Sequence, residues 1–259
     1  MARTSKGDVG LYYETAGSGP TVAFVGDVGY GAWQWGWQHA AVAGPYESLV
    51  ADLRGTGRSD APPGPYAVED LVADFTTVLS DAGVRSAHVV GAGLGGMVAL
   101  EAARTTARVD SLVLLGTAAS GADLDLEPLW GDPDDPDALE SSLAAGLSDA
   151  FVDARPDAVE RMVEWRSEAD ADRAAWEAQA AAVADFDVSD RLYEITAPAL
   201  VCHGRDDAVW PPARGEALAE GLPRGEFYGV EDAGHLVHVE ASRRVNDDLI
   251  GFLDGQVEE

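Results

Sequence analysis

The stretch Val89-Val90-Gly91-Ala92-Gly93-Leu94-Gly95-Gly96-Met97-Val98 has the residue types and spacing of a turn that presents a nucleophile. A short apolar run, Ala87 to Val90, predicts a buried strand. Glycines follow at 91, 93, 95 and 96, and Met97 to Ala103 predicts a helix. Strand, sharp glycine turn and helix make a nucleophile elbow, G-x-Nu-x-G. In this frame the nucleophile position is Gly93, which has no side chain with which to attack. An elbow holds that residue at positive φ, which glycine adopts without strain, so the turn survives while the nucleophile is lost. No other residue replaces it by motif. Thr117 and Ser120 follow the next strand and are candidates to line a pocket, with a surface or hinge role as the plainer use. Cys202, the single cysteine, reads as an inert core thiol in a strand. No P-loop, dinucleotide fingerprint or metal-ligand cluster stands in the chain, so neither cofactor nor metal is expected.

Val9-Gly10-Leu11-Tyr12-Tyr13-Glu14 predicts an early strand, closed by Gly17-Ser18-Gly19-Pro20. Thr21 to Val25 is a continuous apolar run, as in a strand buried on both faces. A glycine loop follows, and Ala32 to Trp37 opens a helix in which Trp33, Trp35 and Trp37 are read as packing residues, with pocket wall as the alternative. Ser48 to Ala51 is the next strand. Val68, Leu71, Val72, Phe75, Val78 and Leu79 fall at helical spacing, with Gly83 placed as a C-cap. After the elbow, Val109 to Leu115 is another strand. Strands alternating with helices argue a parallel sheet with right-handed crossovers. Residues 121–190 break the alternation: an acidic, proline-rich start precedes helical stretches near 138–147, 159–166 and 173–184, with no clear strand. They read as a helical insertion. Alternation resumes with a strand at 199–203, a helix at 212–220, a strand at 226–230 and a last helix at 241–253.

The length, 259 residues, suits one large domain or a domain with an insertion. The formal net charge is −29, from 46 Asp and Glu against 17 Lys and Arg, and Lys6 is the only lysine. Such a surface repels nucleic acid and anionic membranes, which excludes both as partners and leaves a small molecule. Disorder, the competing meaning of high charge, loses because 46% of residues are hydrophobic and seven are Trp. The acidic, lysine-poor composition resembles that of proteins from salt-accumulating halophiles. With no apolar run of membrane length and no signal-peptide pattern at the start, a cytoplasmic protein is expected.

The order of elements resembles the α/β-hydrolase fold: a mostly parallel central sheet flanked by helices, with the insertion as a helical cap. The core would be residues 1–120 and 191–259 and the cap 121–190. Three motifs carry the resemblance besides the elbow. Asp52-Leu53-Arg54-Gly55-Thr56-Gly57-Arg58-Ser59 is similar to the family's D-x-R-G-x-G-x-S turn. Gly204-Arg205-Asp206-Asp207-Ala208-Val209-Trp210-Pro211 resembles its acid loop, and Gly234-His235-Leu236-Val237-His238-Val239-Glu240 its histidine loop. The resemblance is greatest to the capped esterase and lactonase branch, which includes 3-oxoadipate enol-lactonases. It implies His235 as catalytic base and Asp207, rather than its neighbour Asp206, as the acid that orients it. His203 reads as structural and His238 as a helix-start or packing residue, while His39 and His88 carry no signal. Trp210 and Val28 are expected to line the substrate pocket, while Trp165 and Trp176 roof it or pack the cap.

Two positions depart from the family pattern. One is Gly93. The other is Val25-Gly26-Asp27, where many relatives have His-Gly followed by an oxyanion-hole residue. The backbone N–H groups of Asp27 and Leu94 are expected to face a developing oxyanion. The Asp27 carboxylate either sets negative charge beside it or turns away to cap the loop. Three functions follow: an ester- or lactone-type hydrolase using a His235–Asp207 general base, a ligand-binding relative without turnover, or a serine hydrolase whose serine has been exchanged for glycine. A serine restored at 93 is expected to raise esterase activity, and more so beside Asp27→Asn.

Overall fold

The apolar runs alternate in which face they bury, and that decides the layering. The computed structural model of the protein describes residues 2–257. Its strands are β1 (Ala2–Lys6), β2 (Val9–Gly17), β3 (Thr21–Val25), β4 (Glu47–Ala51), β5 (Ala87–Ala92), β6 (Val109–Leu115), β7 (Ala199–Gly204) and β8 (Gly225–Val230). They form one sheet in the order β1-β2-β4-β3-β5-β6-β7-β8. The pairs β1–β2 and β2–β4 are antiparallel and all others parallel. Successive side chains point to opposite faces of a strand. Ala23, Val25, Val89, Leu112 and Leu114 accordingly enter one core, and Val22, Phe24, Val90, Val113 and Leu115 the other.

The helices are α1 (Gly36–Val42), α2 (Val68–Asp81), α3 (Leu94–Thr105), α4 (Pro136–Gly146), α5 (Asp149–Ala154), α6 (Pro156–Ala169), α7 (Arg173–Asp185), α8 (Pro212–Gly221), α9 (Val237–Glu240) and α10 (Ser242–Val257). Helices α2, α3 and α8 cover the first core, while α1 and α10 cover the second. In α2 the buried apolar residues are Val68, Leu71, Val72, Phe75, Val78 and Leu79, the set the sequence spacing predicts. Gly83 closes it at φ +74, with Val84 N–H donating to the Leu79 carbonyl at 2.8 Å. The β1 strand has no apolar run to announce it. It pairs along the edge of the sheet with alternating half-buried and exposed residues.

Helices α4 to α7 lie between β6 and β7, and α5 is one helix more than the sequence pattern suggests. The insertion is pinched at its base: Gly121 N–H donates to the Phe186 carbonyl at 3.0 Å, and Val188 N–H to the Ala119 carbonyl at 2.9 Å. It is tied down across its span by Ala171 N–H to Gly29 O, Gly57 N–H to Ala169 O and Leu236 N–H to Gly146 O, each 2.8 Å. Leu143, Leu147, Val159 and Met162 of the insertion pack on Tyr30, Leu236 and Val239 in a separate apolar cluster. No helix among the described residues is long and apolar enough to cross a membrane.

Candidate active site

In a parallel sheet with both faces covered, chemistry gathers beyond the carboxyl ends of the strands. Four strand ends converge here. Asp27 follows β3, Gly93 follows β5, Asp207 follows β7 and His235 follows β8. Gly93 has φ +47 and ψ −113 and caps α3, so the Leu94 N–H is free of the helix ladder and points into the site. The turn is held from below by the Thr117 hydroxyl, which donates to the Gly93 carbonyl at 2.7 Å. Gly95 is required by close approach, since a β-carbon there would overlap the Val25 carbonyl. Thr117 is therefore part of the elbow's support. Ser120 lies at the base of the insertion, bridged to Asp187.

His235 sits between two carboxylates. Its Nδ1 is 2.8 Å from Asp207 Oδ2, and its Nε2 is 2.7 Å from Asp27 Oδ2. An imidazole facing an acceptor at each nitrogen donates from both and is the cation. Burial alone would lower its pKa. The Asp207 charge and the hydrogen bonds to Asp207 and Asp27 outweigh burial and raise it to about 10. Burial would raise the Asp207 pKa, but the His235 charge and bonds from His203 and His235 hold it well below the usual carboxylate range. Asp207 Oδ1 also accepts from the backbone N–H of Val209 at 3.0 Å and of Trp210 at 2.8 Å. Asp206 is exposed and does not face His235. The Trp210 ring lies nearly parallel to the imidazole, 5.9 Å between centroids at 15°.

The Asp27 backbone departs from its expected donor role, while its carboxylate does set negative charge at the Leu94 donor, the first of the two expectations for it. Its own N–H is turned to Gln34 Oε1 at 3.3 Å, so it is not an oxyanion donor. The converging donors are Val28 N–H at 2.6 Å and Leu94 N–H at 2.8 Å, and both end on Asp27 Oδ1. The loop turns one residue later than the sequence alignment of roles implied, and the side chain folds back into the space its backbone was expected to serve. Carboxylate and elbow share one volume. A β-carbon at Gly93 would overlap Oδ1, Cγ and Oδ2 of Asp27.

The centre is sealed: Asp27, Val28 and Trp210 are fully buried and His235 is 3% exposed. Val28 and Trp210 are buried beside the carboxylates, Val28 through its N–H on Asp27 and Trp210 through its N–H on Asp207. The Trp176 indole is buried above Gly29, against Trp130 at 5.6 Å, and so closes the roof. Trp165 is elsewhere. With Trp33, Trp35, Tyr12 and Arg58 it lines a surface cleft of about 470 Å³ that includes neither Asp207 nor His235. Among the described residues no group of three or more His, Cys, Asp or Glu is arranged to hold a metal.

The family model described as the alpha/beta hydrolase fold matches residues 29–242. The RutD protein of Azorhizobium caulinodans, which carries a provisional name as a carbamate hydrolase, is 30% identical over 98% of each chain. The chain belongs to the α/β hydrolase fold family. A relative named 3-oxoadipate enol-lactonase 2, from Acinetobacter baylyi, is 25% identical over 92% of this chain and 91% of its own. The crystal structure of the enol-lactonase from Burkholderia xenovorans shares the fold with a TM-score of 0.87. Identity is 22%, and the match covers 98% of this chain and all of that one.

Within this α/β hydrolase, two more histidines bear on the site. His203 Nε2 lies 2.7 Å from the Trp210 carbonyl and 3.1 Å from Asp207 Oδ2, so it braces the acid loop. Its position four residues before Asp207, at the end of the same strand, was the signal available in the sequence. His238 is buried against the Trp35 ring at 4.8 Å. Burial first, and then the His235 charge, push its pKa down to about 3, so it is neutral. His39 and His88 bond Ser48 and Ser111 away from the site, as packing residues do.

Proposed function

We propose that the protein hydrolyses a small carbonyl substrate of the ester, lactone or carbamate type, with His235 and Asp207 handling the proton and residues 121–190 acting as the cap. As a member of this family with hydrolases among its relatives, it is a hydrolase-type enzyme. The observation that carries the finer reading is the imidazole of His235, held by Asp207 at 2.8 Å and standing beside two convergent backbone donors, Val28 and Leu94. Such a pair of donors serves oxygen that gains charge as a carbonyl is attacked. With its proton already in place on Nε2, His235 is set up to give it to a leaving group, in place of the base role expected from the sequence. Binding without turnover is the second reading, favoured by the absence of a side chain at Gly93.

The test uses 4-nitrophenyl acetate, a 4-nitrophenyl carbamate and dihydrocoumarin at high salt, with folding checked by circular dichroism. The wild type should hydrolyse at least one of them. His235→Gln should lower turnover by about 10²–10⁴-fold, the usual size of a lost acid–base group. A folded wild type inert on all three, yet protected thermally by any of them, would establish the binding reading instead.

A further inference from the structure

Two residues that no local motif connects occupy one space at the centre of the site. The Asp27 carboxylate lies where a side chain at position 93 would stand, within hydrogen-bond reach of the imidazole nitrogen that would serve such a side chain. We propose that Asp27 is a catalytic residue that replaces the missing nucleophile by activating water, as general base in an acid–base pair with His235. The inference rests on the hydrolase reading above and adds to it the group that starts the reaction.

The geometry favours water over direct attack by the carboxylate. A carboxylate attacking a carbonyl carbon leaves the substrate oxygen in need of the donors at Val28 and Leu94, and Asp27 Oδ1 itself is bound to both. In the resting protein this occupancy satisfies two buried N–H groups that would otherwise be costly. When a substrate enters, its carbonyl oxygen exchanges for Oδ1 at these donors. The carboxylate, released from Val28 and Leu94, then shares the space beside Gly93 with the water it activates.

Every proton has a route. Asp27 removes a proton from water as the water oxygen bonds to the carbonyl carbon and the C=O electron pair moves onto oxygen. As C=O re-forms, the bond to the leaving group breaks, and the proton on His235 Nε2 passes to that group. Asp27 then carries one proton too many and His235 one too few. Their 2.7 Å contact returns it directly and restores the starting state. Asp207, fixed by Val209 and Trp210 N–H, keeps the second imidazole proton throughout.

The experiment compares wild type, Asp27→Asn and Asp27→Ala on whichever probe the wild type hydrolyses. Asn keeps the shape and one acceptor for Val28 and Leu94 but cannot take a proton, so kcat should fall about 10²–10⁴-fold. The Asp27→Ala site should recover activity with added formate but not with formamide, which fills the same space without a base. The formate-rescued rate should be slower in D₂O than in H₂O, because a water proton is in flight. A wild type inactive on all probes overturns the hydrolase reading and this inference with it. An active wild type overturns this inference alone if Asp27→Asn stays within about threefold of it, if formamide rescues as well as formate, or if the rescued rates in the two solvents are equal.

Discussion

His235 holds two ring protons because each nitrogen meets a carboxylate oxygen, and this couples the site to folding. An unfolded histidine titrates near 6.5. Here burial works against the charge, but Asp207 and Asp27 prevail and raise the value to about 10. A raised folded-state pKa means that the folded state holds the proton more tightly. The resulting stability is whole below about pH 6.5 and is lost as pH rises through about 10. The ion cluster should therefore contribute on the order of a few kcal/mol at neutral pH. Urea midpoints measured between pH 6 and 10 should decline for the wild type. His235→Gln should start lower and remain flat across that window. A parallel decline in the variant would mean that other groups carry the pH dependence.

At the scale of the element, the strand–turn–helix of β5, Gly93 and α3 is intact, and its donor at Leu94 is in use. The sequence suggested that serine at 93 would complete an esterase. The structure reverses that expectation, because a β-carbon there overlaps Asp27, and φ +47 strains any side chain further. Asp27→Asn would not relieve the overlap, since Asn has the same shape. Gly93→Ser alone should lower stability by about 1–3 kcal/mol and yield no gain in nitrophenyl acetate hydrolysis. Gly93→Ser with Asp27→Gly removes the clash, leaves Val28 and Leu94 free for an oxyanion and lets His235 act as a base for the serine. The double variant should exceed the single one in hydrolysis by at least about tenfold. Thermal melts and steady-state rates on the wild type, the single variant and the double variant decide it. A stable, more active Gly93→Ser single variant would show that the two positions do not compete.

For the whole molecule, 46 acidic residues against 17 basic ones leave most surface carboxylates without a cation, even where arginines such as Arg173 reach both Glu127 and Glu177. The insertion closes over the site through buried hydrogen bonds of this same chain. Gln179 on α7 accepts from Gly29 N–H and donates to the Arg54 carbonyl, both at 2.7 Å. Repulsion across so acidic a surface opposes that closure. At molar salt the Debye length is about 3 Å and the repulsion is screened. We expect the fold to require high salt. Circular dichroism during stepwise dialysis from molar salt should show loss of helix in dilute buffer. An unchanged spectrum there, with an unchanged melting temperature, removes the salt requirement.

What the sequence determined by itself was local and periodic. The apolar stripe of α2 and its Gly83 cap follow from helical spacing, and the double-faced burial of β3 and β5 follows from runs made mostly of apolar residues. The elbow at Gly93 was legible from its glycine spacing, and the loops that carry Asp207 and His235 from their resemblance to family motifs. The β1 edge strand was not, since its partner β2 rather than its own pattern makes it a strand. Only the tertiary structure decided that Val28, not Asp27, supplies the second backbone donor, and that His203 braces the acid. It also decided that the Asp27 carboxylate fills the space above Gly93. The physical reason is that these contacts join the ends of β3, β5, β7 and β8, distant in sequence and neighbours only once the sheet is assembled. At such a junction the direction of one side chain is set by the volume the others leave open.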